Sequence, residues 1–220
     1  MTAYKEFIHT EGNPDYQPYA DPACNKIYNL IFCDDLSLYK SSSGLTGKQP
    51  WETLFQLPAP IDALQALSFD EQLDPRARLL AYHRLRTEGY PPGGPELLGV
   101  VVEVGLDAGL DVLATFSDGT ARYIHGTGRM VLWETSDDQS AALTEQLFAQ
   151  SESIIEQIGP WDQARRPFPA NGTTRLSFLV SDGLYFGEAP TQALFNDPMA
   201  APALLTATRL MQYLTGIAKN

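Results

Sequence analysis

Two Asp-Gly pairs, Asp118-Gly119 and Asp182-Gly183, each stand between runs rich in β-branched and aromatic residues, and no other feature constrains the fold as much. Asp-Gly suits the two central positions of a tight hairpin, because both need positive φ and Gly adopts it without steric cost. Each pair therefore predicts adjacent antiparallel strands. Leu97 to Val104, Leu110 to Ser117, Thr120 to His125 and Arg129 to Glu134 read as a four-stranded meander, and Arg175 to Val180 with Leu184 to Glu188 as a second hairpin. A two-residue loop at Asp118-Gly119 sets Phe116 opposite Ala121, Ala114 opposite Tyr123 and Val112 opposite His125. Those six residues form the face expected to be buried. The other face, Asp111, Leu113, Thr115, Thr120, Arg122 and Ile124, is mixed and expected to be half solvated.

Helical spacing dominates the first 90 residues. Asp21-Pro22, Asp74-Pro75 and Asp197-Pro198 each precede such a stretch, and Asp as N-cap followed by Pro in the first turn marks a helix start. The helix from Pro75 should end before Gly89, and the one from Pro198 near Gly216. Short helices are expected at Pro50 to Phe55 and Ile61 to Leu67. Between the hairpins, Ser136 with Gln139 has capping-box spacing and Gly159-Pro160 is a terminator, which predicts a long helix. Its Leu143, Leu147, Ile154 and Ile158 make an apolar stripe, with Glu145, Glu152 and Glu156 on the opposite, solvated side. The fold class is α+β: a mainly helical N-terminal part, residues 1–90, then an antiparallel sheet of about six strands packed against two long helices, residues 96–220. Pro91-Pro92-Gly93-Gly94-Pro95 is the natural linker.

Charge narrows the functional classes. The chain has 15 Lys plus Arg against 27 Asp plus Glu, a net charge of -12, which disfavours polyanions such as nucleic acid and an anionic membrane surface. The first residues, Met1 to Thr10, lack the apolar run of a signal peptide, so the expectation is a soluble, cytoplasmic protein. Cys24 and Cys33 both fall in a stretch read as one helix opened by Asp21 and Pro22. Nine helical residues would separate their Cα atoms by about 13.5 Å along the axis, beyond the ~7 Å a disulfide tolerates, so both thiols should be free.

Motifs that carry chemistry are mostly absent. Ser43 to Gln49 has the outline of a phosphate loop, but Ser42 stands where the first Gly belongs and Gln49 replaces the magnesium-binding hydroxyl. His125-Gly126-Thr127-Gly128 offers G-x-G between two strands, where no helix N-terminus can receive a pyrophosphate. It reads as a turn. Hydrolase, zinc-protease and EF-hand signatures are missing, and no cofactor or metal is called for. The sequon Asn171-Gly172-Thr173 has no secretory context. His9, His83 and His125 are far apart in sequence; His83 reads as a hydrogen-bonded helix histidine, whereas His125 ends a strand beside glycines, where it could reach a cleft.

The stretch from Gly159 to Gly172 is the least ordinary, since loops of its length are often functional. Arg165 and Arg166 stand there amid Glu134, Asp137, Asp138, Glu145, Glu152, Glu156 and Asp162. Two readings follow. The pair clamps a carboxylate or phosphate, with Trp161 as an aromatic wall and the loop bordering the main pocket; or it pairs with Asp162 or the acidic helix, while Trp161 and Phe168 pin the loop to the core. The leading expectation is a non-catalytic binding or accessory protein working through protein or small-ligand contacts, with self-association through the helical N-terminal part as one form. The alternative is a small enzyme for an anionic substrate, with His125 as acid or base and Arg165 and Arg166 as anion clamp.

Overall fold

The computed structural model describes residues 16–40 and 47–217; His9 and most of the stretch from Ser43 to Gln49 lie outside them. Five helices come first: α1 (Pro22–Ile31), α2 (Ser37–Lys40), α3 (Trp51–Phe55), α4 (Ile61–Phe69) and α5 (Pro75–Thr87). Strands β1 (Leu97–Leu106), β2 (Gly109–Phe116), β3 (Ala121–Ile124) and β4 (Met130–Trp133) follow, then α6 (Asp138–Ile155). The second hairpin, β5 (Thr173–Val180) and β6 (Gly183–Pro190), leads into α7 (Thr191–Asn196) and α8 (Ala200–Ile217).

All six strands join one antiparallel sheet in the order β4-β3-β2-β1-β5-β6. Helices cover both faces. On one, Val101, Val112, Ala114, Phe116, Ile124 and Leu179 pack against Tyr28, Leu54, Leu64 and Leu80 of the N-terminal helices. On the other, Val100, Val102, Leu113, Tyr123 and Phe178 pack against Leu147 of α6 and Leu204 and Leu210 of α8. That sandwiching accounts for the nearly continuous apolar run of β1, since a strand buried on both sides has no solvated face to alternate toward. It also corrects the expected half-solvated face: Leu113, Thr115, Arg122 and Ile124 are all buried. Among the described residues no helix is long and apolar enough to cross a membrane.

The hairpin register differs from the expected one. Thr115 pairs with Ala121 and Val112 with Ile124, so Phe116 and Ala121 lie on opposite faces of the sheet and Val112 does not face His125. The cause is a three-residue loop. Gly119 N–H donates to the Phe116 carbonyl at 2.9 Å, Phe116 N–H donates to the Thr120 carbonyl at 3.0 Å, and of the loop residues only Gly119 has positive φ, at 81°. This is a type I turn closed by a left-handed Gly, which suits the right-handed strand twist as well as the shorter loop does. The second hairpin does use a two-residue loop, but at Ser181-Asp182, with Gly183 already paired to Val180.

Helix starts follow the Asp-Pro signals closely. Asp21 accepts from Ala23 N–H and Asp74 from Arg76 N–H, each at 2.8 Å. Asp197 accepts from Met199 and Ala200 N–H, both at 2.9 Å, so α8 begins two residues beyond Pro198. For α6 the capping box is Asp137 with Ser140, one residue on from the expected Ser136 and Gln139, and the helix ends at Ile155, ahead of Gly159-Pro160. Helix α1 ends at Ile31, so Cys33 lies past it with φ of 52° and the single-helix assignment is corrected. Both thiols are nonetheless free and buried.

Candidate functional site

The connection from α6 to β5 carries three of the four residues singled out in the sequence. Trp161 is fixed by its backbone N–H to the Leu184 carbonyl at 2.7 Å, by its indole N–H to the Ala164 carbonyl at 2.9 Å, and by an edge-on contact with Phe186 at 5.1 Å between centroids. It pins the loop to the sheet edge. Arg165 turns inward: its side chain is 3% exposed, Nε donates to Asp34 at 2.8 Å and Nη2 donates to Asn29 Oδ1 at 2.8 Å. Its guanidinium lies over the rings of Phe32 at 3.9 Å, Tyr16 at 4.6 Å and Tyr28 at 5.4 Å. Burial disfavours that charge, but Asp34 and the Tyr28 hydroxyl outweigh it, and the net shift of Arg165 is upward. Arg166 stays half exposed, with Nη1 3.6 Å from Glu188.

Next to Arg165 runs a polar ladder that the sequence reading did not single out. Glu103 on β1, Arg175 on β5 and Glu188 on β6 are register partners across three strands. Arg175 donates through Nε to Glu188 at 2.6 Å, Nη2 donates to the Pro167 carbonyl at 2.6 Å, and Nη1 lies 3.5 Å from Glu103. Tyr28 of α1 donates to Glu103 at 2.7 Å. Burial raises the Glu103 carboxyl against the pull of Arg175, and burial raises the Tyr28 hydroxyl, reinforced by Glu103. A charge so enclosed needs partners, and here it has them. Glu103 was legible as the only charge in an otherwise apolar run; the rule that such charges are paired or hydrogen-bonded points to a partner without saying which.

His125 stands elsewhere. It lies in the turn after β3, half-buried, with Nδ1 2.9 Å from Thr127 Oγ1. Strands β2, β1 and β5 separate β3 from the Glu188 strand, roughly 19 Å at the usual interstrand spacing. The structure thus brings Trp161, Arg165 and Arg166 to one edge and leaves His125 apart. A cavity of about 120 Å³ lies between the β1–β2 turn (Gly105, Leu106, Gly109) and loop residues Phe168 to Asn171. The loop borders it, but neither arginine lines it and its walls carry no ionisable side chain. Ligand pockets commonly span about 300–1,000 Å³, so this one suits only a very small apolar group. Among the described residues no group of His, Cys, Asp and Glu could hold a metal ion. Comparison with protein-family models, with curated proteins and with solved structures finds no match.

Proposed function

We propose that this chain is a cytoplasmic binding or accessory protein without a reaction of its own, acting through contact with a protein partner. One observation carries the reading: among the described residues the two most exposed large apolar side chains, Leu57 at 77% and Phe69 at 67%, belong to the same helical unit, at the α3–α4 connection and the end of α4. Ala63 and Ala66 are exposed between them. Exposed apolar side chains gathered in one segment are what partner contacts cover. The placement of the candidate polar residues supports the same reading, since Arg165 is bound to Asp34 and His125 lies across the sheet from it.

The test is Leu57→Ser with Phe69→Ser. Full burial of a Leu or Phe side chain is worth about 1.5–3 kcal/mol, so the double change should weaken a partner complex roughly a hundredfold or more while leaving the melting temperature nearly unchanged. Quantitative affinity capture from the native cytoplasm, wild type against variant, reads this. A partner retained equally by both forms would remove the surface from consideration.

A further inference from the structure

The two edges of the sheet differ. Strand β4 has four residues, flanked by Arg129 and Glu134, a short edge that offers little to pair with. Strand β6 has eight, pairs with β5 without a register shift, and contains no Lys, and no Pro before its last residue. Val180 and Gly183 form the first rung of the hairpin, so Gly183, Tyr185, Gly187 and Ala189 turn their backbone groups toward β5, and Leu184, Phe186 and Glu188 turn theirs outward. The Leu184 carbonyl bears this out by accepting from Trp161. Among the described residues the outward groups of Phe186 and Glu188 have no backbone partner.

We propose that a second copy of this chain adds to this edge, β6 against β6, antiparallel about a two-fold axis at Gly187. Phe186 of each copy then pairs with Glu188 of the other, through about four interchain backbone hydrogen bonds. Charge selects this occupant. Arg166 lies 6.0 Å from the Phe186 ring with its side chain 50% exposed and only a 3.6 Å contact to its own Glu188. The pairing brings Glu188 of the second copy to the same ring, and hence to Arg166, twice over by symmetry. A foreign peptide gains the backbone bonds but not this reciprocity. Gly187, facing its symmetry mate, permits the close approach of a non-hydrogen-bonded pair, about 4.5 Å between Cα atoms. The pairing uses neither Leu57 nor Phe69, so the proposal stands or falls independently of the partner reading.

Gly187 also supplies the test, because a Cβ there meets nothing within 4 Å in the single chain. Sedimentation velocity over a wide concentration range should show a concentration-dependent dimer for the wild type. Gly187→Lys, which sets like charges face to face, should raise the dissociation constant at least roughly tenfold without loss of the fold by circular dichroism. Gly187→Cys should give a disulfide-linked dimer under mild oxidation, whereas Ala189→Cys, whose opposite is Tyr185, should not. A wild type that stays monomeric with no Gly187→Cys cross-link overturns the proposal, as does cross-linking that is equal at Ala189→Cys. Dimerisation that survives Gly187→Lys but is lost with Leu57→Ser and Phe69→Ser overturns it too, moving self-association to α3 and α4.

Discussion

Replacing Arg165 by Ala removes a buried side chain held by two charge-assisted hydrogen bonds and three aromatic rings. The change strands Asp34 and Asn29 Oδ1, each bonded to it at 2.8 Å, and empties the space between the rings of Tyr16, Tyr28 and Phe32. Breaking a buried ion pair by deleting one partner costs about 3–5 kcal/mol. Desolvated cation–π contacts reach about 2 kcal/mol, but they share the same guanidinium and do not add in full, while Asp34, with 31% of its side chain exposed, recovers some hydration. The expected loss is about 4 kcal/mol, a fall in melting temperature on the order of 10 °C for a chain of this size. Arg166→Ala removes only a half-exposed contact of 3.6 Å and should cost under about 1 kcal/mol. Urea unfolding of both variants, compared at equal m-values, reads the difference. A double-mutant cycle of Arg165→Ala with Asp34→Ala isolates the pair. If Arg165→Ala costs no more than Arg166→Ala, the guanidinium is solvated in solution and the inward placement is wrong.

Three further outcomes are expected. Gly105→Ala should cost about 1–3 kcal/mol or more, because the added Cβ would sit 2.1 Å from the Ala170 carbonyl oxygen; an unchanged melting temperature would mean that the loop stands clear of β1. His83 on α5 is held below its ordinary value of 6.5 by burial and by Arg86, so its contribution is complete above that pH and is lost as pH falls. The stability advantage of wild type over His83→Gln should therefore shrink between about pH 7.5 and about pH 5.5, and a constant difference would refute the assignment. Burial pushes the Cys33 thiol up to about 12 and also raises Cys24, so neither should react with an aromatic disulfide reagent in the native state at neutral pH, and both should react in denaturant.

The two Asp-Gly pairs show how far turn chemistry reads from sequence. Both mark hairpins, and the antiparallel pairing of β2 with β3 and of β5 with β6 follows from them, whereas the β1–β5 pairing that joins the two into one sheet does not. Neither pair occupies the two central positions of its turn. At the first, the Asp118 carboxylate accepts from Thr120 N–H at 2.9 Å and from its hydroxyl at 2.8 Å, favouring the longer loop with Gly119 as its left-handed residue. One added residue moves Ala121 and Tyr123 to the opposite layer. Alternation of apolar and polar residues would ordinarily expose such a slip. Here both faces are covered by helices, so the pattern of β2 and β3 carries little information about which side is which.

The same covering explains why the site was only half legible. Arg165 was conspicuous as a cation among acids, but its partners Asp34 and Asn29 lie 131 and 136 positions away, ahead of every strand, and neither Asp162 nor the acidic helix is its partner. It belongs to a wider use of arginine in this chain. Arg78, Arg84, Arg122, Arg165 and Arg175 are all buried, against Asp35 and Glu103 among the acids. Several of them serve backbone carbonyls where chain segments end: Arg78 donates to the Ser68 carbonyl near the end of α4 at 2.9 Å, Arg84 to the Leu54 carbonyl in α3 at 2.6 Å, and Arg175 to the Pro167 carbonyl of the loop. Five rigid donors on a permanent charge suit that work, since Arg keeps its proton where burial would strip a lysine. The consequence for function is electrostatic. With more cations than acids withdrawn into the interior of the described residues, the exterior is more acidic than the net charge of -12 suggests.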